Sequence, residues 1–115
     1  MKVNILGTEY DIIYSTPKKH PVLNSADGVT DTTTKEIIVN KLEKEQRNRD
    51  SLKNLVKYRN KVVRHEVIHA FLYESGLSIN SGKVDGWASN EEMVDWIAIQ
   101  SPKLNKVFCE LGVEE

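Results

Sequence analysis

The chain has 115 residues, of which 39% are hydrophobic and 29% charged, and its formal net charge is −1. This size and composition predict one soluble globular domain, over residues 1–115, with a single hydrophobic core. They exclude a membrane-spanning segment, because no apolar run approaches the roughly 20 residues that cross a bilayer. The single cysteine, Cys109, excludes an internal disulfide and a structural zinc site built from several cysteines. Since no signal-peptide pattern follows Met1, we expect a cytoplasmic protein.

Alternating apolar and polar residues near the N-terminus predict strands. Residues 3–14 alternate on either side of a glycine-threonine pair, which is the pattern of a two-stranded hairpin. A second hairpin is indicated by the Asp-Gly turn signal at residues 27–28, the threonine-rich residues 29–34 and the apolar residues 36–40. We therefore expect a small, mostly antiparallel sheet over about residues 1–40.

The second half of the chain predicts helices. Residues 41–50 are polar and without apolar periodicity, but an apolar stripe at three- and four-residue spacings then predicts a long helix over about residues 51–75. Gly76 suits the left-handed residue that follows a helix. The remaining segments are a connecting loop at residues 77–88, a helix over about residues 89–101, and a short helix over about residues 102–112 that a proline opens. A sheet followed by helices predicts an α+β fold.

The charges are unevenly distributed along the chain. Residues 35–64 contain ten Lys and Arg against four Asp and Glu, whereas residues 65–115 contain three against nine. A basic segment of this kind can bind nucleic acid. The segment lacks the series of aromatic residues on which bases would stack, so we expect a solvated helix face and no nucleic-acid partner. A nucleic-acid-binding module remains an alternative function.

The motif H-E-x-x-H lies inside the long predicted helix, at residues 65–69. Residues four apart on a helix lie one above the other, so His65 and His69 would direct their imidazoles at a common point and supply two ligands to a zinc ion. Glu66 lies about 100° round the helix, where this motif places the general base that acts on water beside the metal. The alternative is that both histidines are ordinary core or surface residues.

A catalytic zinc needs a third protein ligand, and the next helix offers Glu91 and Glu92. If Ser89 is the N-cap, Glu92 completes a capping box with it, which leaves Glu91 free to face the metal. Asp95 follows Glu91 by four residues and lies on the same face, where it can accept a hydrogen bond from a metal-bound histidine. The alternative for these acids is ordinary charge at a helix N-terminus.

The H-E-x-x-H motif, followed after a loop by N-E-x-x-x-D at residues 90–95, resembles the gluzincin arrangement of zinc metallopeptidases, of which thermolysin is the familiar member. The compact size and the run at residues 69–77 also resemble small phage- and prophage-encoded zincin-like proteins. The resemblance covers roughly residues 28–100. It implies a minimal zincin fold with bound Zn²⁺, in which Glu91 is the third ligand and Asp95 orients a histidine.

One feature departs from that resemblance. The large gluzincins have a further His or Tyr that helps to stabilise the oxyanion, whereas no His, Tyr or Arg follows residue 91 here. The candidates for that role are Tyr73 and His20, which lies in a predicted loop. The sequence thus predicts a zinc metallopeptidase, cytoplasmic in a bacterial host if phage-derived, that holds a peptide along an edge strand within Glu36–Asn40. The alternative is a zinc-stabilised phage binding protein without turnover.

Overall fold

The computed structural model describes residues 1–43, 53–83 and 85–115, which form an α+β fold with a four-stranded sheet packed on a long helix. The strands are β1 (Lys2–Ile5), β2 (Thr8–Ser15), β3 (Gly28–Asp31) and β4 (Glu36–Asn40). The helices are α1 (Leu55–Glu74), the single turn α2 (Leu77–Asn80) and α3 (Glu91–Leu111). Within these described residues, no helix is long and apolar enough to cross a membrane.

The sheet is mixed, with the strand order β1-β2-β4-β3. The two hairpins that the sequence predicts are present as the antiparallel pairs β1–β2 and β3–β4, whereas β2 and β4 are parallel. Because β4 lies between two strands, the prediction of an edge strand within Glu36–Asn40 is wrong. Its three consecutive apolar residues, which are all buried, suit a central strand. The sheet edges are β1 and β3.

The hydrophobic core lies between the sheet and α1. Its sheet side consists of Ile5, Tyr10, Ile12, Ile37 and Val39, and its helix side includes Val62 and Ala70. Since these two helical residues are eight apart, they project from one face of α1. The opposite flank of the helix is left to contact α3. This packing fixes the position of every side chain along α1 relative to the sheet.

Both ends of α1 have local causes. Its N-cap is Asn54, whose side chain accepts a hydrogen bond from the backbone N–H of Lys57 at 3.0 Å. The predicted helix start near residue 51, like most of the predicted polar stretch 41–50, lies outside the described residues. Residues 53 and 54 are described and precede the helix, so α1 begins later than the apolar pattern predicts. At the other end Gly76 has a φ of 84°, the left-handed conformation that the sequence predicts there. The predicted loop after it contains α2 and two short 3-10 turns.

The start of α3 corrects the predicted cap. The N-cap is Asn90, whose side chain accepts from the backbone N–H of Met93 at 2.8 Å, so the capping box of Ser89 with Glu92 is wrong. The cap lies one residue later than predicted because both residue types cap helices well and local sequence does not choose between them. Glu91 thereby becomes the first residue of the helix.

The predicted short helix that starts at Pro102 is also wrong, because α3 runs unbroken from Glu91 to Leu111 with the proline inside it. A proline has no N–H to donate to the carbonyl four residues earlier, which here belongs to Ala98. That carbonyl instead accepts a hydrogen bond from Arg64 Nε at 2.6 Å. A side chain of α1 therefore replaces the missing bond, and the helix continues until Gly112, whose φ is 66°.

Candidate metal centre

Two histidines of α1 meet the first residue of α3. His65 Nε2 lies 3.1 Å from His69 Nε2 and 2.9 Å from Glu91 Oε2. His69 Nε2 lies 2.9 Å from the other carboxylate oxygen of Glu91. The rings are largely buried, whereas the Glu91 side chain is 72% exposed, so the group opens towards solvent. The structure therefore brings the three predicted metal ligands together at one point.

A salt bridge behind the histidines sets the orientation of one ring. Asp95 Oδ1 lies 3.2 Å from His65 Nδ1 and 2.9 Å from the ammonium nitrogen of Lys61. The hydrogen bond from Lys61, aided by the one from His65, holds the pKa of the Asp95 carboxyl below its ordinary value. The ionised carboxylate accepts the Nδ1–H of His65, which leaves the Nε2 lone pair directed at Glu91.

This arrangement fits a zinc ion. Ligands of a tetrahedral zinc at about 2.0–2.1 Å lie about 3.3 Å from one another, and the separations of 2.9 and 3.1 Å found here are close to that. When His65 is neutral, its Nε2 lone pair and the carboxylate of Glu91 are two acceptors with no hydrogen between them. A cation held by both removes this conflict. The described residues His65, His69 and Glu91 could thus hold a metal.

Glu66 is buried beside these ligands, with 7% of the residue exposed. The hydroxyl of Thr30, on β3, lies 2.8 Å from Glu66 Oε2 and 2.9 Å from the Glu66 carbonyl oxygen. The strand approaches this closely because Gly28 has no side chain. A Cβ at that position would lie 2.7 Å from Val62 Cγ1 and 2.8 Å from Glu66 Cγ. Thr30 and Gly28 therefore hold the carboxylate against the sheet edge.

Two clefts flank the ligand group, and both contain Glu66, Glu91 and Gly28. The larger, of about 400 Å³, runs along β3, and its lining also includes Thr30, Thr32, His69, Tyr73 and Ser78. The smaller, of about 200 Å³, lies towards the N-terminal half of α1, and its lining also includes Asp27, Tyr58, Lys61, His65 and Asp95. Burial and a hydrogen bond to Asp27 raise the pKa of Tyr58 to about 12, so its hydroxyl stays protonated.

The two candidates for an oxyanion-stabilising group lie in different places. Tyr73 is one helical turn beyond His69 and lines the larger cleft with it. The ammonium of Lys35 lies 4.9 Å from the centre of the Tyr73 ring. His20 forms a hydrogen bond with Ser15 at 2.6 Å and lines neither cleft. Of the two, only Tyr73 lines a cleft that also contains Glu66.

Three residues of the site were not predicted from the sequence. Lys61 precedes His65 by four residues, so its place on the same helix face was available as a signal. The sequence indicates that Gly28 is part of a turn, but it does not indicate that β3 and α1 approach each other closely there. The role of Thr30 had no local signal, because it depends on β3 packing against α1 at Glu66.

Comparison of this chain with models of protein families, with curated proteins and with solved structures finds no match in any of the three. The case for a function therefore depends on the chemistry and geometry of the site itself.

Proposed function

We propose that this chain is a zinc-dependent peptidase that hydrolyses peptide bonds in extended polypeptides. The observation that carries the proposal is the convergence of His65, His69 and Glu91 next to the buried carboxylate of Glu66, in a cleft along a sheet edge. Two nitrogen ligands and one carboxylate are a common ligand set for catalytic zinc, and they leave a fourth position for water or substrate. A structural zinc site has its four positions filled by protein.

The chain's own residues supply the proton transfer. Zinc, when bound, polarises a carbonyl oxygen and lowers the pKa of water towards about 7. Glu66 Oε2 is held by Thr30, whereas Oε1 accepts no hydrogen bond from the described residues. That free oxygen can take a proton from the attacking water and return it to the leaving amine. Burial keeps the carboxylate in one orientation for both transfers.

The edge strand β3 offers a surface for the substrate backbone. The Asn40 N–H donates to the Asp27 carbonyl at 2.8 Å, and pairs in an antiparallel ladder alternate between bonded and unbonded. The N–H and C=O groups of Gly28 and Thr30 therefore point away from β4, and both residues line the larger cleft. No described strand pairs with this edge. An extended peptide can add to it by main-chain hydrogen bonds.

Tyr73 is the residue we assign to stabilising the oxyanion. Tyr73 lines the same cleft as Glu66 and His69, and a phenol hydroxyl can donate a hydrogen bond to the developing negative charge. The chain has no His, Tyr or Arg after residue 91 that could act instead. A Tyr73→Phe variant should bind zinc as well as wild type and lose activity.

The basic segment is less suited to nucleic acid than its charge suggests. Lys35 pairs with Glu74, Lys61 pairs with Asp95, and Arg64 donates to the carbonyl of Ala98. These three cations serve contacts within the chain, so fewer are available to neutralise phosphates. This favours the peptidase over the nucleic-acid-binding module.

The test is a Glu66→Gln variant, which keeps the shape of the side chain and removes the base. We expect zinc content and thermal stability like those of wild type, and a loss of about 10²–10⁴ in cleavage of casein or in self-cleavage. Glu92→Gln is the matched control and should cleave like wild type. Activity that survives Glu66→Gln would contradict the proposed proton transfer. Zinc binding without cleavage by wild type would favour a zinc-stabilised binding protein.

A further inference from the structure

The second half of α3 carries apolar side chains that no described residue covers. Every residue from Pro102 to Glu115 is exposed. Leu104, Val107, Phe108 and Leu111 follow one another at the spacing of a single helix face and are 39 to 67% exposed. We call this face the α3 tail stripe. A contiguous apolar stripe on a protruding helix marks an interaction site.

Charge is polarised along the tail. Lys103 and Lys106 lie at its start, whereas Glu110, Glu114 and Glu115 lie at its end. The Lys106–Glu110 pair within the tail is 4.0 Å apart and solvent-exposed, so it adds little stability. Two such tails in opposite directions place the basic start of each beside the acidic end of the other. An antiparallel pairing of this kind is self-complementary, as a two-fold interface requires.

We propose that the α3 tail stripe forms the interface of a homodimer. The tail of a second copy packs antiparallel on the stripe, with the two-fold axis near Val107. Lys103 of each copy then lies beside Glu110 of the other, because both residues flank the stripe on the same side of the helix. The occupant must present an apolar stripe with an acidic end, and this chain presents one. The nine residues 44–52, which the structure does not describe, contain a single apolar side chain, Leu52, and cannot supply such a stripe.

The interface leaves the metal centre open. Val107 follows Glu91 by sixteen residues, which corresponds to about 24 Å along a helix. The dimer therefore does not depend on the proposed peptidase activity, and each can fail without the other.

Sedimentation velocity over a range of protein concentrations tests the proposal. We expect wild type to be dimeric, and Phe108→Asp to raise the dimer dissociation constant at least a hundredfold, because the charge would lie inside the stripe. Ile79→Asp, at an exposed apolar residue of α2, is the matched control and should leave the dimer intact. Unchanged circular dichroism and an unchanged cooperative thermal unfolding transition establish that both variants are folded. A monomeric wild type, or a Phe108→Asp variant as dimeric as wild type, would overturn the proposal.

A charge-reversal experiment tests the antiparallel arrangement. Lys103→Glu should raise the dissociation constant at least fivefold, because the two-fold axis places this residue beside Glu110 of the other copy twice in each dimer. Adding Glu110→Lys to that variant should restore the dissociation constant to within about twofold of wild type. Failure of Glu110→Lys to rescue Lys103→Glu would refute this arrangement.

Discussion

Two glutamates beside α1 have opposite surroundings. Glu74, at the end of the helix, accepts hydrogen bonds from Thr8 at 3.1 Å, Tyr10 at 2.7 Å and the Lys35 ammonium at 2.6 Å. Its side chain is 13% exposed. Glu91 is 72% exposed and faces two imidazole nitrogens. The first carboxylate has a donor for each interaction, whereas the second faces the Nε2 of His65, which is an acceptor when that ring is neutral and its proton lies on Nδ1.

This difference separates a structural carboxylate from a binding one. At Glu74 the negative charge is balanced within the chain, so nothing further has to bind. At Glu91 the neutral ring of His65, oriented by Asp95, directs its Nε2 lone pair at a negative oxygen, a contact that a bound cation would make favourable. We therefore expect metal to affect one region and not the other, and the following variants should separate the two.

The largest expected effect is that of metal on stability. A ligand that binds only the folded state at a thousand times its dissociation constant stabilises it by about 4 kcal/mol. Chemical unfolding of wild type with excess zinc and with a chelator should differ by about that amount. His69→Ala should unfold identically under both conditions. A wild type indifferent to the chelator would show that the histidine pair binds no metal.

A smaller effect is expected at the Glu74 cluster. Tyr10→Phe removes a hydrogen bond to a charged acceptor and should lower the free energy of unfolding by about 1.5–3 kcal/mol, with zinc content unchanged. Tyr14→Phe is the matched control, since no described residue accepts a hydrogen bond from that hydroxyl, and it should change stability by less than about 0.5 kcal/mol. Loss of zinc in Tyr10→Phe would mean that the two regions are coupled.

The pH dependence of stability should also report on Glu74. The hydrogen bond from Lys35, followed by that from Tyr10, holds the pKa of Glu74 below its ordinary value. The stabilisation is therefore fully present above the unfolded pKa of about 4.3 and is lost as pH falls through the lower folded pKa. The free energy of unfolding, measured with urea, should fall more between about pH 5 and pH 2 for wild type than for Glu74→Gln. Parallel pH profiles would contradict this assignment.

The smallest effect concerns the helix that carries Glu91. Asn90→Ala removes the observed cap and should cost about 1 kcal/mol in zinc-saturated protein. Ser89→Ala, one residue earlier and exposed, should cost less than about 0.5 kcal/mol. If chemical unfolding shows a larger loss of stability for Ser89→Ala than for Asn90→Ala, the cap belongs to Ser89.

Local patterns predicted much of this fold. Alternation predicted both hairpins, periodicity predicted most of α1 and the first half of α3, and the i, i+4 spacing predicted the close approach of His65 and His69. Glu91 was selected by a cap that the structure assigns differently, yet the residue faces the histidines because it opens α3 beside them. Helical periodicity therefore predicted the position of Glu91, even though the predicted cap was wrong.

The errors arise from contacts that are distant in sequence. Pro102 continues a helix only because Arg64, 38 positions earlier, binds the carbonyl that the proline leaves free. The central position of β4 is set by its parallel pairing with β2. Thr30 can hold Glu66 because the strand order of the sheet places β3 beside the site. None of these contacts has a local sequence pattern.

The central claim is that Glu91 completes a zinc site, and zinc content per chain tests it most directly. Glu91 and Glu92 are adjacent and equal in charge, so each is the control for the other. Purified wild type and Glu92→Ala should each carry about one zinc, and Glu91→Ala should lose most of it. If Glu91→Ala keeps its zinc, or if Glu92→Ala loses it, the assignment of the third ligand is wrong.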